Sequence, residues 1–327
     1  MKLRSILASL ALVLVASTQA QPRDDVLLDM EQAFRQGKQD RLTQLLPQAQ
    51  GHPLEAWAAY WELRTRLDTA SPQEIRQFLT RYAGSYQEDR LRNDWLLLLG
   101  QQRDWDNFAQ EYPLFRMNDD REVRCYALLA QGLREGAATP ASVGDEVLRL
   151  WLNQRDTEEG CTAAAAHFIN EAKGPARLKE ADAWRKARQA MELNRPAVAG
   201  AALAIIHPEA LPLLNELTAS PAKFLARRSS AGSKLRREMV GMALARLAAS
   251  DVEGAATQLE NKWGPQLPPE ERDWLWGLLG RQAAFRLLPE AHGYFARVQK
   301  DSHLGDSLLE WKVRAALRAG AAPAWRS

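Results

Sequence analysis

The sequence predicts an all-α protein, built as a superhelical array of helical hairpins, and three observations support that prediction. Apolar residues recur at three- and four-residue spacing along most of the chain after residue 20. No run alternates apolar and polar residues for long enough to indicate a strand. Helix-starting caps and helix-ending glycines follow one another roughly every 12 to 20 residues. Since a single hairpin cannot bury both of its apolar faces, we expect about eight or nine hairpins to stack on one another.

Residues 1–20 are typical of a secretory signal peptide. Lys2 and Arg4 come first, an apolar run continues to Val15, and small or polar residues complete the segment. The alternative is an ordinary buried helix. No later apolar run is long enough for a membrane-spanning helix. We therefore expect an exported, periplasmic protein without a membrane span in the mature chain.

Composition excludes several classes of protein. The chain has 327 residues, of which 46% are hydrophobic and 26% are charged. This composition is typical of neither a disordered nor a fibrous protein. It carries 43 basic and 41 acidic residues, and removal of Lys2 and Arg4 with the leader balances them. A balanced charge argues against a nucleic-acid partner, because binding to phosphates needs an excess of basic side chains.

The first helices are delimited by glycine and proline. Residues 24–36 have helical spacing and are followed by Gly37, and a second helix begins near Asp40 and ends or bends at Pro47. A third helix is predicted over residues 54–67, where Trp57 and other apolar side chains recur every three to four residues.

The next helices are marked by their caps. Ser71 and Glu74 form a capping box that opens a helix running to Tyr82. Residues 93–100 predict a short apolar helix that ends at Gly100. Asp104 then caps a helix with three aromatic side chains on its apolar face: Trp105, Phe108 and Tyr112.

Similar signals continue to the end of the chain. Gly37, Gly136 and Gly320 each follow an arginine-containing helix end, where a left-handed glycine is favoured. Residues 250–253 form another capping box, and two prolines at 268 and 269 open a longer helix. We find no linker in between, so residues 21–320 are predicted to form one elongated domain, followed by a tail over 321–327 that has the appearance of a truncation.

Cys125 and Cys161 are the two cysteines of the chain. In an exported protein, a lone pair predicts one disulfide, which closes a loop and stabilises the fold by about 4 kcal/mol in the chain-entropy model. Two unpaired buried thiols are the alternative.

The sequence predicts no catalytic, cofactor-binding or metal-binding residue. It contains no zinc-protease motif, no nucleophile elbow and no glycine-rich phosphate loop. The acid pairs at 158–159 and 270–271 stand near predicted helix starts, where the helix dipole explains them. Five scattered histidines are interpreted as structural: His52, His167, His207, His292 and His303.

Two groups of side chains offer alternatives to that interpretation. A basic cluster flanks a serine-rich turn and would face an anionic polymer, although a solvated loop explains it as well: Arg227, Arg228, Lys234, Arg236 and Arg237. Close tryptophan pairs are interpreted as core wedges, with one member of each pair as a candidate sugar-stacking side chain: Trp57 with Trp61, and Trp274 with Trp276.

Several segments of the chain resemble the N-terminal helical domain of soluble lytic murein transglycosylases. The resemblance runs in order over residues 24–320, and its most specific part is residues 78–112. Cys125 and Cys161 also fall where that family carries its cysteine pair. The matching segments are residues 53–63, 78–82, 89–92, 95–96 and 104–112. The resemblance implies a ring or U-shaped superhelix.

The resemblance also implies a chemistry. That family cleaves the bond between N-acetylmuramic acid and N-acetylglucosamine in peptidoglycan and leaves a 1,6-anhydro sugar. The catalytic glutamate of the family stands in a Glu-Ser motif of a lysozyme-like domain, and this sequence contains no Glu-Ser dipeptide. We therefore carry over no catalytic residue.

Three hypotheses follow. The first is the helical portion of a lytic transglycosylase, inactive by itself, with glycan strands or a lysozyme-like domain as partners. The second is a non-catalytic periplasmic scaffold that binds other proteins, of the tetratricopeptide-like type. The third is an enzyme with a new site among the helices, which requires clustered carboxylates or histidines with perturbed pKa values in a groove.

Overall fold

A computed structural model describes residues 21–320, and every regular element in that range is a helix. The predicted all-α class is therefore confirmed for this part of the chain, which contains eighteen α-helices. The first seven are α1 (Gln21–Arg35), α2 (Gln39–Leu45), α3 (Glu55–Thr65), α4 (Pro72–Arg81), α5 (Tyr86–Gln102), α6 (Trp105–Glu111) and α7 (Arg121–Glu135). The others are α8 (Ala141–Asn153), α9 (Glu159–Asn170), α10 (Glu180–Glu192), α11 (Pro196–Ile206), α12 (Leu211–Ala219), α13 (Pro221–Ala226), α14 (Lys234–Ala248), α15 (Val252–Gln258), α16 (Pro269–Phe285), α17 (Ala291–Phe295) and α18 (Asp306–Arg318).

The helices belong to two compact units, with the boundary between Ala130 and Gln131. In the first unit, α1 packs against α2 and α3, and α5 packs against α3, α4 and α6. In the second unit, α10 packs against α11 and α14, while α16 packs against α14, α15, α17 and α18. The sequence pattern gives no sign of this division, because helical spacing continues through α7.

The two ends of the chain lie outside the described residues, and with them the predicted signal peptide, residues 1–20, and the predicted tail, residues 321–327. Between residues 21 and 320, none of the helices combines the length and the apolar character needed to cross a membrane.

Side-chain caps begin several helices near the predicted positions. Ser71 Oγ accepts the backbone N–H of Glu74 at 3.2 Å, and Asp104 Oδ1 accepts the backbone N–H three residues later, also at 3.2 Å. The third predicted cap is displaced by one residue, because Asp251 rather than Ser250 accepts the first-turn N–H of α15, at 2.8 Å. Local sequence thus places these helix starts to within a residue.

The glycines of the predicted helix ends have two different roles. Gly37, Gly136 and Gly320 have φ values of +65°, +56° and +68°, which confirms them as left-handed stops. Gly100 instead lies inside α5, and a Cβ built on it would lie 2.3 Å from the Tyr126 ring. The predicted helix end at Gly100 is therefore wrong, because this glycine serves a close helix approach.

The helix containing residues 93–100 is also longer than predicted. It begins at Tyr86, where the side chain of Ser85 accepts the N–H of Glu88, and it ends at Gln102, before Arg103 with its φ of +61°. The polar residues of its first half escaped the apolar pattern because they form buried ion pairs rather than apolar contacts.

Arg92 is the centre of those ion pairs. It contacts Glu88 at 2.6 Å and also pairs with Glu111, which Arg76 contacts at 2.9 Å. Arg116 completes the network at 2.8 Å from Glu88. The carboxylates are buried and paired, so the network joins α4, α5 and α6 and is structural.

Candidate functional site

The second unit contains a cleft of about 620 Å³ between α10, the first turns of α16 and the segment that leads into α18. Its lining combines charges of both signs with an indole ring. From α10 come Arg185, Arg188, Gln189 and Glu192, from α16 come Glu270, Glu271 and Trp274, and residues 302–308 form the third wall. Clefts of this size with converging polar groups are the usual place for ligands.

Helical spacing brings the side chains of α10 and α16 to the cleft. Arg185, Arg188 and Glu192 follow one another at intervals of three and four residues, so they share one face of α10. In α16, Glu271 and Trp274 are three residues apart and also share a face. Pro269 stands in the first turn of α16, where its missing N–H costs no helical hydrogen bond.

Glu192 joins the end of α10 to the middle of α16. Trp274 donates its indole N–H to Glu192 Oε1, and Arg281 Nη1 lies 3.5 Å from Oε2. Arg281 also donates to the backbone carbonyl of Glu192 at 2.8 Å. Burial raises the pKa of Glu192, which Arg281 and Trp274 oppose, and burial lowers the pKa of Arg281. The pair is thus held between two helices in an environment that disfavours charge.

A second carboxyl group lies on α14, next to α10. Arg188 Nη1 contacts Glu238 Oε1 at 2.7 Å, and the Glu238 side chain is 3% exposed. Burial raises the pKa of Glu238, and the charge of Arg188 and its hydrogen bond oppose that rise. The guanidinium group of Arg188 therefore forms its ion pair with Glu238.

Glu271 is the third carboxyl group and the least compensated of the three. Burial, followed by the negative charge of Glu238, raises the pKa of Glu271 to about 7, against the influence of Arg188 and Arg237. Within the described residues, its Oε2 atom is buried and has no hydrogen-bond partner. A carboxyl group of this kind holds its proton near neutral pH and can donate or release it.

Asp273 fixes the third wall of the cleft. It accepts the backbone N–H groups of Gln299 and Lys300 at 3.0 and 3.1 Å, and the His303 ring nitrogen lies 2.8 Å away. Burial raises the pKa of Asp273, but these hydrogen bonds outweigh it and leave the pKa below its ordinary value. The arrangement holds residues 299–303 against α16.

The structure does not bring the five histidines together. Four of them lie beside acids, and the first three pairs are closer than 3 Å: His52 is 2.9 Å from Asp24, His207 is 2.8 Å from Glu209, and His303 is 2.8 Å from Asp273. His167 lies 3.5 Å from Glu171, and His292 lines a separate, largely apolar cleft. In residues 21–320, no group of three or more potential ligand side chains is arranged to hold a metal ion.

Three members of the basic cluster, Arg227, Arg228 and Lys234, form ion pairs with two acids. Arg227 and Arg228 lie 3.6 and 3.2 Å from Glu216, and Lys234 lies 3.0 Å from Glu180. These pairings reduce the positive charge available to an anionic polymer and favour the interpretation as a solvated loop.

The tryptophan pairs pack as wedges. The rings of Trp57 and Trp61 are half-buried, with their centroids 5.9 Å apart. Trp274 and Trp276 are 7% and 5% exposed, so neither offers an open ring face to a sugar. Trp276 instead packs against Tyr294. The core interpretation of these aromatics fits the packing better than the sugar-stacking alternative.

Cys125 and Cys161 are both fully buried and disulfide-bonded, as predicted.

The sequence analysis did not identify Glu192, Glu238 or Glu271 as a group. It placed Glu271 correctly near a helix start, in the first turn of α16, but could not show its proximity to Glu238, which is 33 residues earlier in the chain. One signal was present in the sequence, because Glu238 is followed by seven residues, 239–245, that are all apolar or glycine. A lone acid at such a position requires a partner or a raised pKa.

Comparisons with known proteins place this fold among lytic transglycosylases. No protein-family model matches the chain, and no curated protein matches it. The solved structure of an inactive mutant of the lytic transglycosylase Slt from Pseudomonas aeruginosa is 25% identical, with a TM-score of 0.55, over 90% of this chain and 47% of that one.

Two further structures show the same fold at lower identity. The 70-kDa soluble lytic transglycosylase from Escherichia coli is 14% identical, with a TM-score of 0.50, over 91% of this chain and 45% of that one. A complex of the 70-kDa soluble lytic transglycosylase with bulgecin A is 15% identical, with a TM-score of 0.51, over the same shares. The chain thus spans somewhat less than half the length of the solved proteins that it matches.

Proposed function

We propose that this chain, which has the helical fold found in soluble lytic transglycosylases, acts in the periplasm as the part of such a protein that holds peptidoglycan glycan strands. The likeness to the Pseudomonas aeruginosa enzyme, at 25% identity over 90% of the chain, is the observation that carries the proposal. The ordered sequence resemblance over residues 53–112 and the buried disulfide support it.

We assign binding rather than bond cleavage to these helices. The match covers 47% of the Pseudomonas aeruginosa chain, and the sequence here has no Glu-Ser dipeptide to supply that family's acid. A lysozyme-like domain that supplies such a motif is the partner that the resemblance implies. Cleavage of the glycosidic bond, with a 1,6-anhydro product, would then occur in that partner.

The test is a pull-down of the purified protein with peptidoglycan sacculi, followed by mass spectrometry of the soluble fraction. We expect the protein to sediment with sacculi and to release no 1,6-anhydro muropeptides. Sacculi whose stem peptides have been removed by an amidase provide the matched substrate, because a protein that holds glycan strands should bind them equally well.

Two other results would change the proposal. Loss of binding to intact sacculi would reject glycan holding and favour the protein-binding scaffold. Release of anhydro products would reject the binding-only role and make Glu271 the first candidate acid, because its pKa of about 7 suits proton donation at neutral pH. Glu271→Gln, with Glu270→Gln as its matched control, would then decide whether this carboxyl group is responsible.

A further inference from the structure

Two buried oxygen atoms on the wall of the cleft have no hydrogen-bond donor in the described part of the chain. They are Oε2 of Glu271, at the start of α16, and Oε1 of Gln189, on α10. Buried acceptors in native proteins are almost always satisfied, so two unsatisfied ones in the same cleft point to a ligand that supplies N–H donors.

The charges that face Glu271 favour a cationic donor. From α14 come Glu238 and Arg237, from α10 comes Arg188, and from α16 itself comes Glu270. Arg188 is already paired with Glu238 at 2.7 Å. The third wall adds His303, which is held by Asp273, and Asp306. None of these bases forms an ion pair with Glu271, and its Oε2 atom has no partner among the described residues, so this carboxyl group is open to a cationic ligand.

One base of the cleft is available for a negative group. Arg185 lines the cleft from α10, is exposed, and has no ion pair with any residue in 24–320. Its guanidinium can bind a carboxylate through two parallel hydrogen bonds. The cleft thus offers unsatisfied acceptors and an unpaired cation within one volume of about 620 Å³.

We propose that this cleft binds an amino acid or short peptide, with the ligand's primary ammonium group on Glu271 and Gln189 and its carboxylate on Arg185. This inference goes beyond the holding of glycan strands, since it concerns a small zwitterionic ligand.

Ligand binding at the proposed site should change the protonation of Glu271. The pKa of Glu271 is raised to about 7, so in the empty cleft at pH 6 this carboxyl group carries a proton. An ammonium group binds the carboxylate form, so the proton leaves to solvent as the ligand enters. Binding should release close to one proton per ligand at pH 6. At pH 8, Glu271 is already ionised and about half of the dipeptide's amino groups are neutral, so binding should instead take up about half a proton.

The experiment is isothermal titration of the purified protein with the dipeptide alanylalanine, in buffers of different ionisation enthalpy at pH 6 and pH 8. We expect saturable binding with the proton release described above. N-acetylated alanylalanine, which lacks the ammonium group, should bind at least about tenfold more weakly. The C-terminal amide of the dipeptide should also bind more weakly, because it lacks the carboxylate that contacts Arg185.

Matched variants test the assignment of residues. Glu271→Gln should weaken binding of the dipeptide at least about tenfold and abolish the proton release. The control is Glu253→Gln, at an exposed acid in the first turn of α15 that does not line the cleft, and it should leave both within about twofold. Arg185→Gln should remove the preference for the free dipeptide over its amide.

Several results would overturn the proposal. They are the absence of binding to the unsubstituted protein at millimolar dipeptide, equal binding of the acetylated dipeptide, and equal proton release at the two pH values. The titration of the unsubstituted protein decides the question even if a variant fails to fold. Because the probes are free dipeptides, the result does not depend on whether the protein binds sacculi.

Discussion

Replacement of Glu271 by glutamine should make the protein more stable at pH 8 and remove part of its pH dependence. The glutamine keeps the size of the side chain but carries no charge, so the repulsion from Glu238 disappears. The first-turn neighbour Glu270 is exposed and provides the matched control, Glu270→Gln.

The magnitude follows from the raised pKa of Glu271. Its pKa rises from an ordinary value of 4.5 to about 7. At 1.36 kcal/mol per pKa unit the full shift corresponds to about 3.4 kcal/mol. Solvent screening of this half-buried group reduces the expected effect to about 1–2 kcal/mol.

The direction of the effect is fixed by proton linkage. Because the folded protein holds this proton more tightly than the unfolded chain, the free energy of unfolding falls as the pH rises from 4.5 to about 7. The stabilising contribution is complete below pH 4.5 and is lost above pH 7. The glutamine variant does not lose stability in this way. Its free energy of unfolding should therefore exceed that of the unsubstituted protein by an amount that grows between pH 5 and pH 8.

The assay is urea unfolding, followed by circular dichroism at pH 5, 6, 7 and 8, of the unsubstituted protein and both variants. We expect the difference in unfolding free energy between Glu271→Gln and the unsubstituted protein to increase by about 1–2 kcal/mol over this range. A difference in unfolding free energy that stays constant from pH 5 to pH 8 would refute the burial and repulsion inferred for Glu271. An equal pH-dependent increase for Glu270→Gln would refute them as well.

Two further predictions concern the fold. Gly100→Ala would place a Cβ 2.3 Å from the Tyr126 ring, so urea unfolding should show a loss of about 1–3 kcal/mol. Gly293→Ala, in a helix with no heavy atom within 4 Å of the added Cβ, should be neutral or stabilising, and equal losses in both variants would contradict the close approach. Joint replacement of Cys125 and Cys161 by serine should cost about 4 kcal/mol of unfolding free energy, and an unchanged midpoint of thermal unfolding would contradict a structural role for the disulfide.

The local features of the fold were predictable from the sequence. Ser71 and Asp104 cap helices where their neighbours predict it, and Gly37 ends α1 with the left-handed conformation that its position requires. Such signals depend on residues three or four positions apart, so the sequence contains all the information that they need. The all-α class followed from their repetition.

The same reasoning failed where one helix meets another. Gly100 has the sequence context of a helix end, yet it is inside α5 because the Tyr126 ring packs against it. The absence of a Cβ suits a glycine both to a left-handed helix end and to close contact with another helix. Only the position of the neighbouring helix decides which of the two occurs.

The candidate site was decided by tertiary structure. Glu192, Glu238 and Glu271 are separated by 46 and 33 residues in the chain, and each stands in a helix that could have turned it to solvent. The packing of α10, α14 and α16 buries them near one cleft, and the charges of Arg188 and Arg237 only partly offset the burial of Glu271. Burial and the proximity of like charges raise a pKa, and both depend on which helices become neighbours, which the local pattern of one sequence does not contain. Capped helix starts and left-handed glycine stops were therefore determined by local sequence, while the place of Gly100 inside α5, the raised pKa of Glu271 and the cleft beside it were determined by the fold.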